Sequence, residues 1–215
     1  MAEDLKKAYH TIIDEFFPEQ LELSFSDGQR RQTMLYEKVT WEVEGERRGL
    51  RYGENPGQQA ALYRPVGGNL VIGEVQLVGP GEELVSAARL IQFGKHPGKT
   101  NLTDADNALN ILRYLMDRPT VAIMKHNNPC GVARADTLVE AYCRADLADR
   151  IAAFGGCIAC NRPVDKDTAE EIARRYAEVV VAPGYEEGVI EILSRRKNLR
   201  IMEIRRMDRL AEYAG

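Results

Sequence analysis

A chain of 215 residues, 44% hydrophobic and 29% charged, can bury a core and lacks the charge bias of a disordered segment. Its formal net charge of −4 argues against nucleic acid as the main partner, and no run is long and apolar enough to span a bilayer as a helix. The opening Met1 to Lys7 lacks the apolar core of a secretory signal, so the expected compartment is cytoplasmic and the four cysteines are expected to be reduced thiols.

In chain order, Leu5, Tyr9, Ile12, Ile13, Phe16 and Phe17 fall at helical spacing and predict an entry helix ending at Pro18. Residues 19–48 are polar and mixed, with a strand expected around Tyr36 to Val43. A further strand is expected over Leu70 to Val78, followed by the breaker Gly79-Pro80-Gly81. Thr103 and Asp106 suggest a capped helix start, with Ala105, Ala108, Leu109, Leu112 and Leu115 on one face and a stop before Pro119. A strand over 120–124 follows, then a turn through Pro129 and Gly131. The remaining units are a helix from Thr137 to about Ala145, strand Cys157–Cys160, a helix from about Asp167 to Tyr176, strand Val179–Ala182, a helix over Glu186–Leu193 and strand Leu199–Glu203. Strands alternating with helices of about ten residues predict the α/β class, with a largely parallel sheet covered on both faces.

The most chemically suggestive stretch is Lys125-His126-Asn127-Asn128-Pro129-Cys130-Gly131 at the end of the predicted strand 120–124. Open α/β sheets place ligands at carboxyl strand ends. Adjacent strand residues point to opposite faces, so Lys125 and His126 share a site only if the strand stops there. His126 suits proton transfer near neutral pH, and an ammonium can steady a developing oxyanion, which together suggest transfer of an acyl-type group. The bland alternative is a turn histidine beside a solvated lysine.

Three other stretches weigh less. Arg51-Tyr52-Gly53-Glu54-Asn55-Pro56-Gly57 offers a guanidinium fork for a phosphate or carboxylate, a hydroxyl and a stacking face, against the reading of a surface turn. Gly94 to Thr100 imitates a P-loop but has three residues between its glycines where four are needed, and Ala87 to Gln92 reads poorly as the preceding strand. Cys157 and Cys160 have CxxC spacing inside an apparent buried strand with no second pair, so small buried hydrophobes is the better reading than zinc. Phe154-Gly155-Gly156 looks like a loop whose amides could meet a ligand, and Glu178 could bind a ligand hydroxyl or merely link a helix to a strand.

Together these segments resemble the transformylase part of the bifunctional purine enzyme AICAR transformylase/IMP cyclohydrolase. The matching pieces are Leu50 to Pro56, Asn101-Leu102 with Asp104-Ala105, Lys125 to Val132, Ala153 to Ala159 with Asn161-Arg162, Val181 to Glu187, and Lys197 to Arg200. The resemblance implies a three-layer α/β/α cytidine-deaminase-like fold without the deaminase zinc. It implies residues 1–48 as an N-terminal helix and extension, and 49–215 as the first of two lobes. It also implies formylation of the AICAR 5-amine by 10-formyltetrahydrofolate, giving FAICAR, with no metal.

Carried over by position, His126 would be the base and Lys125 the group that stabilises the oxyanion or donates toward folate N10. Arg51 and Tyr52 would contact the nucleotide, with Asn101, Gly155 and Glu178 around its base, carboxamide or ribose. Gly57 departs from the family, which usually has His there. The expectation is one half of a composite enzyme, working as a homodimer or with a second-lobe chain; the alternative is an inactive nucleotide-binding remnant.

Overall fold

In the computed structural model, which describes residues 15–72, 75–76 and 81–214, a six-stranded mixed sheet organises the chain. Before it come β1 (Gln20–Ser26), β2 (Arg31–Lys38), β3 (Trp41–Val43), β4 (Glu46–Arg48), β5 (Tyr63–Gly68), β6 (Val71–Ile72) and β7 (Val75–Gln76). The central sheet uses β8 (Arg89–Gln92), β9 (Thr120–Lys125), β10 (Asn128–Arg134), β11 (Cys157–Cys160), β12 (Val179–Ala182) and β13 (Arg200–Glu203), in the order β10-β9-β11-β12-β13-β8. β11, β12 and β13 are mutually parallel, and β10 points the same way. β9 and β8 run against them.

Every residue of β11 and β12 is buried, as expected for strands covered on both faces. The pleat sends alternate residues to two cores. Ala122, Met124, Cys157, Ala159, Val179, Val181 and Met202 pack with α1 (Lys99–Leu112), Trp41, Leu50 and the 3₁₀ turn Met207–Tyr213. Val121, Ile123, Ile158, Cys160, Val180, Ala182 and Ile201 pack with α2 (Leu138–Ala148), α3 (Lys166–Ala173) and α4 (Val189–Leu193). The result is the α/β/α layering. Thr137 caps α2, its hydroxyl accepting the Glu140 amide at 3.3 Å, and Asp165 caps α3 by accepting the Thr168 amide at 2.7 Å.

β1, β2 and β5 form a separate antiparallel sheet, with Leu21, Leu23 and Phe25 exposed on one face of it. Because β2 pairs with β5, residues on both sides of position 48 share one sheet. The indole N–H of Trp41 reaches the Ala88 carbonyl at 3.0 Å and pins this part to the segment entering β8.

Several elements differ from their sequence expectation. α1 begins at Lys99, not Thr103, because Asn101 accepts the Gly98 amide at 3.1 Å and so caps the helix one turn earlier; the Thr103 hydroxyl bonds back to Thr100 O. Pro129 and Gly131 do not form a turn. They lie in β10, an edge strand that tolerates proline and carries a bulge between them. Residues 89–92 are a strand, again at an edge. The single strand expected over Tyr36 to Val43 is divided between β2 and β3. The expected strand over Leu70 to Val78 is a small hairpin of β6 and β7 in its described part; residues 77–80, with the breaker's Gly79-Pro80, lie outside the described residues. The expected helix Leu5 to Phe17 lies outside them up to residue 14. Among the described residues no helix is long and apolar enough to cross a membrane.

Candidate active site

Lys125 is the last residue of β9, and His126 and Asn127 form the whole connection to β10, since Lys125 and Asn128 already pair. Their φ angles are +52° and +64°, the left-handed pair of a type I′ hairpin turn. Neither residue is glycine, so the conformation carries a cost and needs an outside anchor. Asp104 on α1 supplies one. Its carboxylate accepts the Asn127 amide at 2.6 Å, and Asn107 reaches the Asn127 side chain at 3.1 Å. Burial pushes the Asp104 carboxyl above its usual value, opposed by the amides of Asn127 and His126.

This turn answers the geometric question raised by two adjacent strand residues. Breaking the pleat at His126 lets both Lys125 and His126 line one cavity of about 290 Å³. The Lys125 ammonium donates to the Phe154 carbonyl at 2.7 Å. That contact uses one of its three donors. Opposite lie Gly155 and Gly156, at the start of β11. Gly155 has φ +77°, and a Cβ on Gly156 would stand 2.7 Å from the Met124 carbonyl, so this approach of loop to strand requires glycine.

Tyr52, Asn101 and Glu178 complete the wall. Asn101 uses both ends of its amide: the oxygen caps α1, and the nitrogen donates to Glu178 at 3.2 Å. Glu178 also pairs at 3.3 Å with Arg200, which is 2% exposed and whose other arm donates to the Lys95 carbonyl at 2.9 Å. Arg51, 5% exposed, lies behind Tyr52 and does not line the cavity. Its guanidinium sits 4.4 Å from the Tyr52 ring centroid and donates to the hydroxyl at 2.7 Å. The Nε atoms of Arg51 and Arg200 are buried without a hydrogen-bond partner. Two buried cations share this side of the site with the Glu178 carboxylate, which favours an anion nearby.

Six of the seven residues singled out from the sequence thus meet around one cavity: Tyr52, Asn101, Lys125, His126, Gly155 and Glu178. Sequence reasoning missed Asp104 and Arg200. Asp104 was hidden inside what looked like a capping pattern, and Arg200 at the start of the strand Arg200–Glu203; a cation directly before the apolar pair Ile201-Met202 was the available signal for the latter. The site opens at the carboxyl end of β9, as expected. For the parallel set β11 to β13, however, this is the amino end, because β9 is antiparallel to β11. Among the described residues no group of three or more His, Cys, Asp or Glu could hold a metal ion. Burial raises the Cys157 and Cys160 thiols above their usual value, as suits inert core residues.

The chain matches the family model described as AICARFT/IMPCHase bienzyme over residues 3–214. Among curated proteins it is 37% identical over 196 residues to the bifunctional purine biosynthesis protein PurH of Acetivibrio thermocellus, covering 91% of this chain and 34% of that protein. It is 46% identical over 155 residues to the PurH of Roseobacter denitrificans, covering 71% and 27%. The PurH of Cutibacterium acnes is 43% identical over 154 residues, covering 72% and 27%. The chain therefore spans about a third of the length of the curated relatives it matches.

Proposed function

Because the chain belongs to the AICARFT/IMPCHase bienzyme family, we propose that it carries one wall of a formyl-transfer site. On this reading 10-formyltetrahydrofolate donates its formyl group to the 5-amine of AICAR, giving FAICAR, in the cytoplasm. Residues 49–215 are the first lobe and residues 1–48 its extension. The observation that carries the reading is the convergence of Lys125 and His126 with Asn101, Glu178 and Tyr52 on one cavity.

The chemistry follows from the side chains. The AICAR amine is a weak nucleophile, because its lone pair is delocalised into the imidazole ring. As its nitrogen bonds to the formyl carbon it must lose a proton, and His126 is the acceptor. A positioned base contributes about 10²–10⁴-fold. Lys125, with two donors left beside its Phe154 contact, faces the negative charge that grows on the formyl oxygen. Collapse of the tetrahedral adduct breaks the bond to folate N10, which leaves with a proton returned from the His126–Lys125 pair. Tyr52, Asn101 and Glu178 hold the nucleotide, with Arg51 backing Tyr52 and Arg200 fixing Glu178.

The remaining wall comes from a second-lobe chain or a second copy of this one. Calorimetry of the chain with AICAR, and a tetrahydrofolate-release assay with and without a separately expressed second lobe, test the proposal. The expected result is turnover in the mixture that falls at least about 10²-fold in His126→Ala while AICAR binding persists. Full activity of that variant, or AICAR binding without turnover in any mixture, refutes it.

A further inference from the structure

On the other side of the Phe154-Gly155 ridge lies a second cavity, of about 330 Å³, which the formyl-transfer reading does not use. Four guanidiniums face it, from Arg150, Arg174, Arg175 and Arg196. Among the described residues Asp146 is the one acid lining it, with Glu171 on the adjoining pocket of about 400 Å³. A chain of net charge −4 thus gathers four cations here against Asp146, with Arg174 also paired at 2.5 Å to Glu171 of the adjoining pocket.

Their arrangement is built. The buried Asp146 carboxylate accepts a hydrogen bond from Arg150 Nε at 3.1 Å and forms an ion pair with Arg175, whose Nε stands 2.9 Å away. Anchoring at Nε leaves the terminal nitrogens of both arginines with no further partner among the described residues, and those are the atoms that grip an oxyanion bidentately. Arg196 is held through Nε and Nη2 by the Ala173 carbonyl, at 3.2 and 3.0 Å. Phe154, 62% exposed, packs against Tyr176 with ring centroids 5.1 Å apart and forms an apolar rim. The Phe154 carbonyl holds Lys125, so this rim is shared with the first cavity.

We propose that this arginine-lined cavity is an oxyanion-binding site for a carboxylate or phosphate group. One ligand chemistry has two sources: the carboxylates of a small organic acid, or a free phosphate compound. The site stands on its own geometry and does not require the formyl-transfer reading.

The test is calorimetry of the full chain with two probes, citrate and inorganic phosphate, in the wild type, Arg174→Gln/Arg196→Gln and Asp146→Asn. Removing two cations is expected to weaken binding about tenfold or more, and removing the competing carboxylate to tighten it several-fold. Arg174→Gln alone, at an exposed position, serves where the double variant is poorly folded by thermal melt, with a smaller loss in the same direction. Preference for citrate assigns a carboxylate ligand and preference for phosphate a phosphate compound; His126→Ala is expected to leave either unchanged. Binding of neither probe, or binding that is equal in the wild type and the arginine variants, overturns the proposal.

Discussion

Replacing Asp104 by Ala tests the claim that a carboxylate on α1 holds the His126 turn. Hydrogen bonds to charged groups contribute about 1.5–3 kcal/mol, and an amide left unpaired in a part-buried position costs about 1–3 kcal/mol. The 2.6 Å contact to the Asn127 amide places Asp104 in this class. Against that stands the desolvation of Asp104 itself, which burial imposes. A net loss of about 2–3 kcal/mol is expected, or about 5–10 °C in Tm for a chain of this size. The loss is local as well as global. Two non-glycine residues at positive φ store about 1–2 kcal/mol each, so the unanchored turn relaxes and the amides of residues 126 and 127 exchange faster. If His126 acts as proposed, a displacement of about 1 Å lowers kcat by about 10²-fold.

Denaturant unfolding, amide hydrogen exchange and turnover measure the three effects. A stability change below about 0.5 kcal/mol with unchanged exchange at residues 126 and 127 would refute the anchoring role. Asp104→Asn keeps an acceptor and is expected to cost about 1 kcal/mol or less near neutral pH. The pH dependence has a definite sign. The folded carboxyl titrates above its usual 3.8, so the proton-linked part of its contribution is full below that value and declines as pH rises through the folded value, leaving the carboxylate's hydrogen bond to the Asn127 amide. The advantage of the wild type over Asp104→Asn therefore shrinks as pH rises above 3.8.

His96 gives the opposite sign. Its buried ring donates from Nε2 to the Gly49 carbonyl, so Nδ1 is bare and unpartnered, and burial lowers its pKa below 6.5. Stability is present above the unfolded value and lost as pH falls through the folded one, so acid melts should show the wild type losing more than His96→Gln between about pH 7 and pH 5. Gly131→Ala places a Cβ 2.0 Å from the Ala145 carbonyl, backbone against backbone. It should cost about 3 kcal/mol or more by forcing α2 off β10; a drop in Tm of under 2 °C by calorimetry would contradict this packing.

Much of the fold is legible because short buried strands and capped helices are local patterns. Cys157–Cys160 and Val179–Ala182 have the bounds read from their apolar runs, and Thr137 with Glu140 marks the start of α2. Part of the cavity lining is legible too, since Lys125-His126-Asn127-Asn128 is an abrupt polar end to an apolar run. The hairpin is not. Type I′ turns usually announce themselves by glycine, whereas here a carboxylate more than twenty residues upstream stabilises two left-handed residues. Likewise, nothing local reveals that β9 runs against β11 or that Pro129 belongs to an edge strand.

Composition and periodicity alone thus determined the class and most strands of the central sheet, and they marked the polar end of β9 at Lys125-His126. Those depend on burial and dihedral preference within a few positions. Only the tertiary structure decided the strand directions, the Asp104 anchor, the burial of Arg51 and Arg200 and the meeting of four arginines beyond Phe154. Each of these depends on groups far apart in the chain, whose energy exists only once the sheet has brought them together.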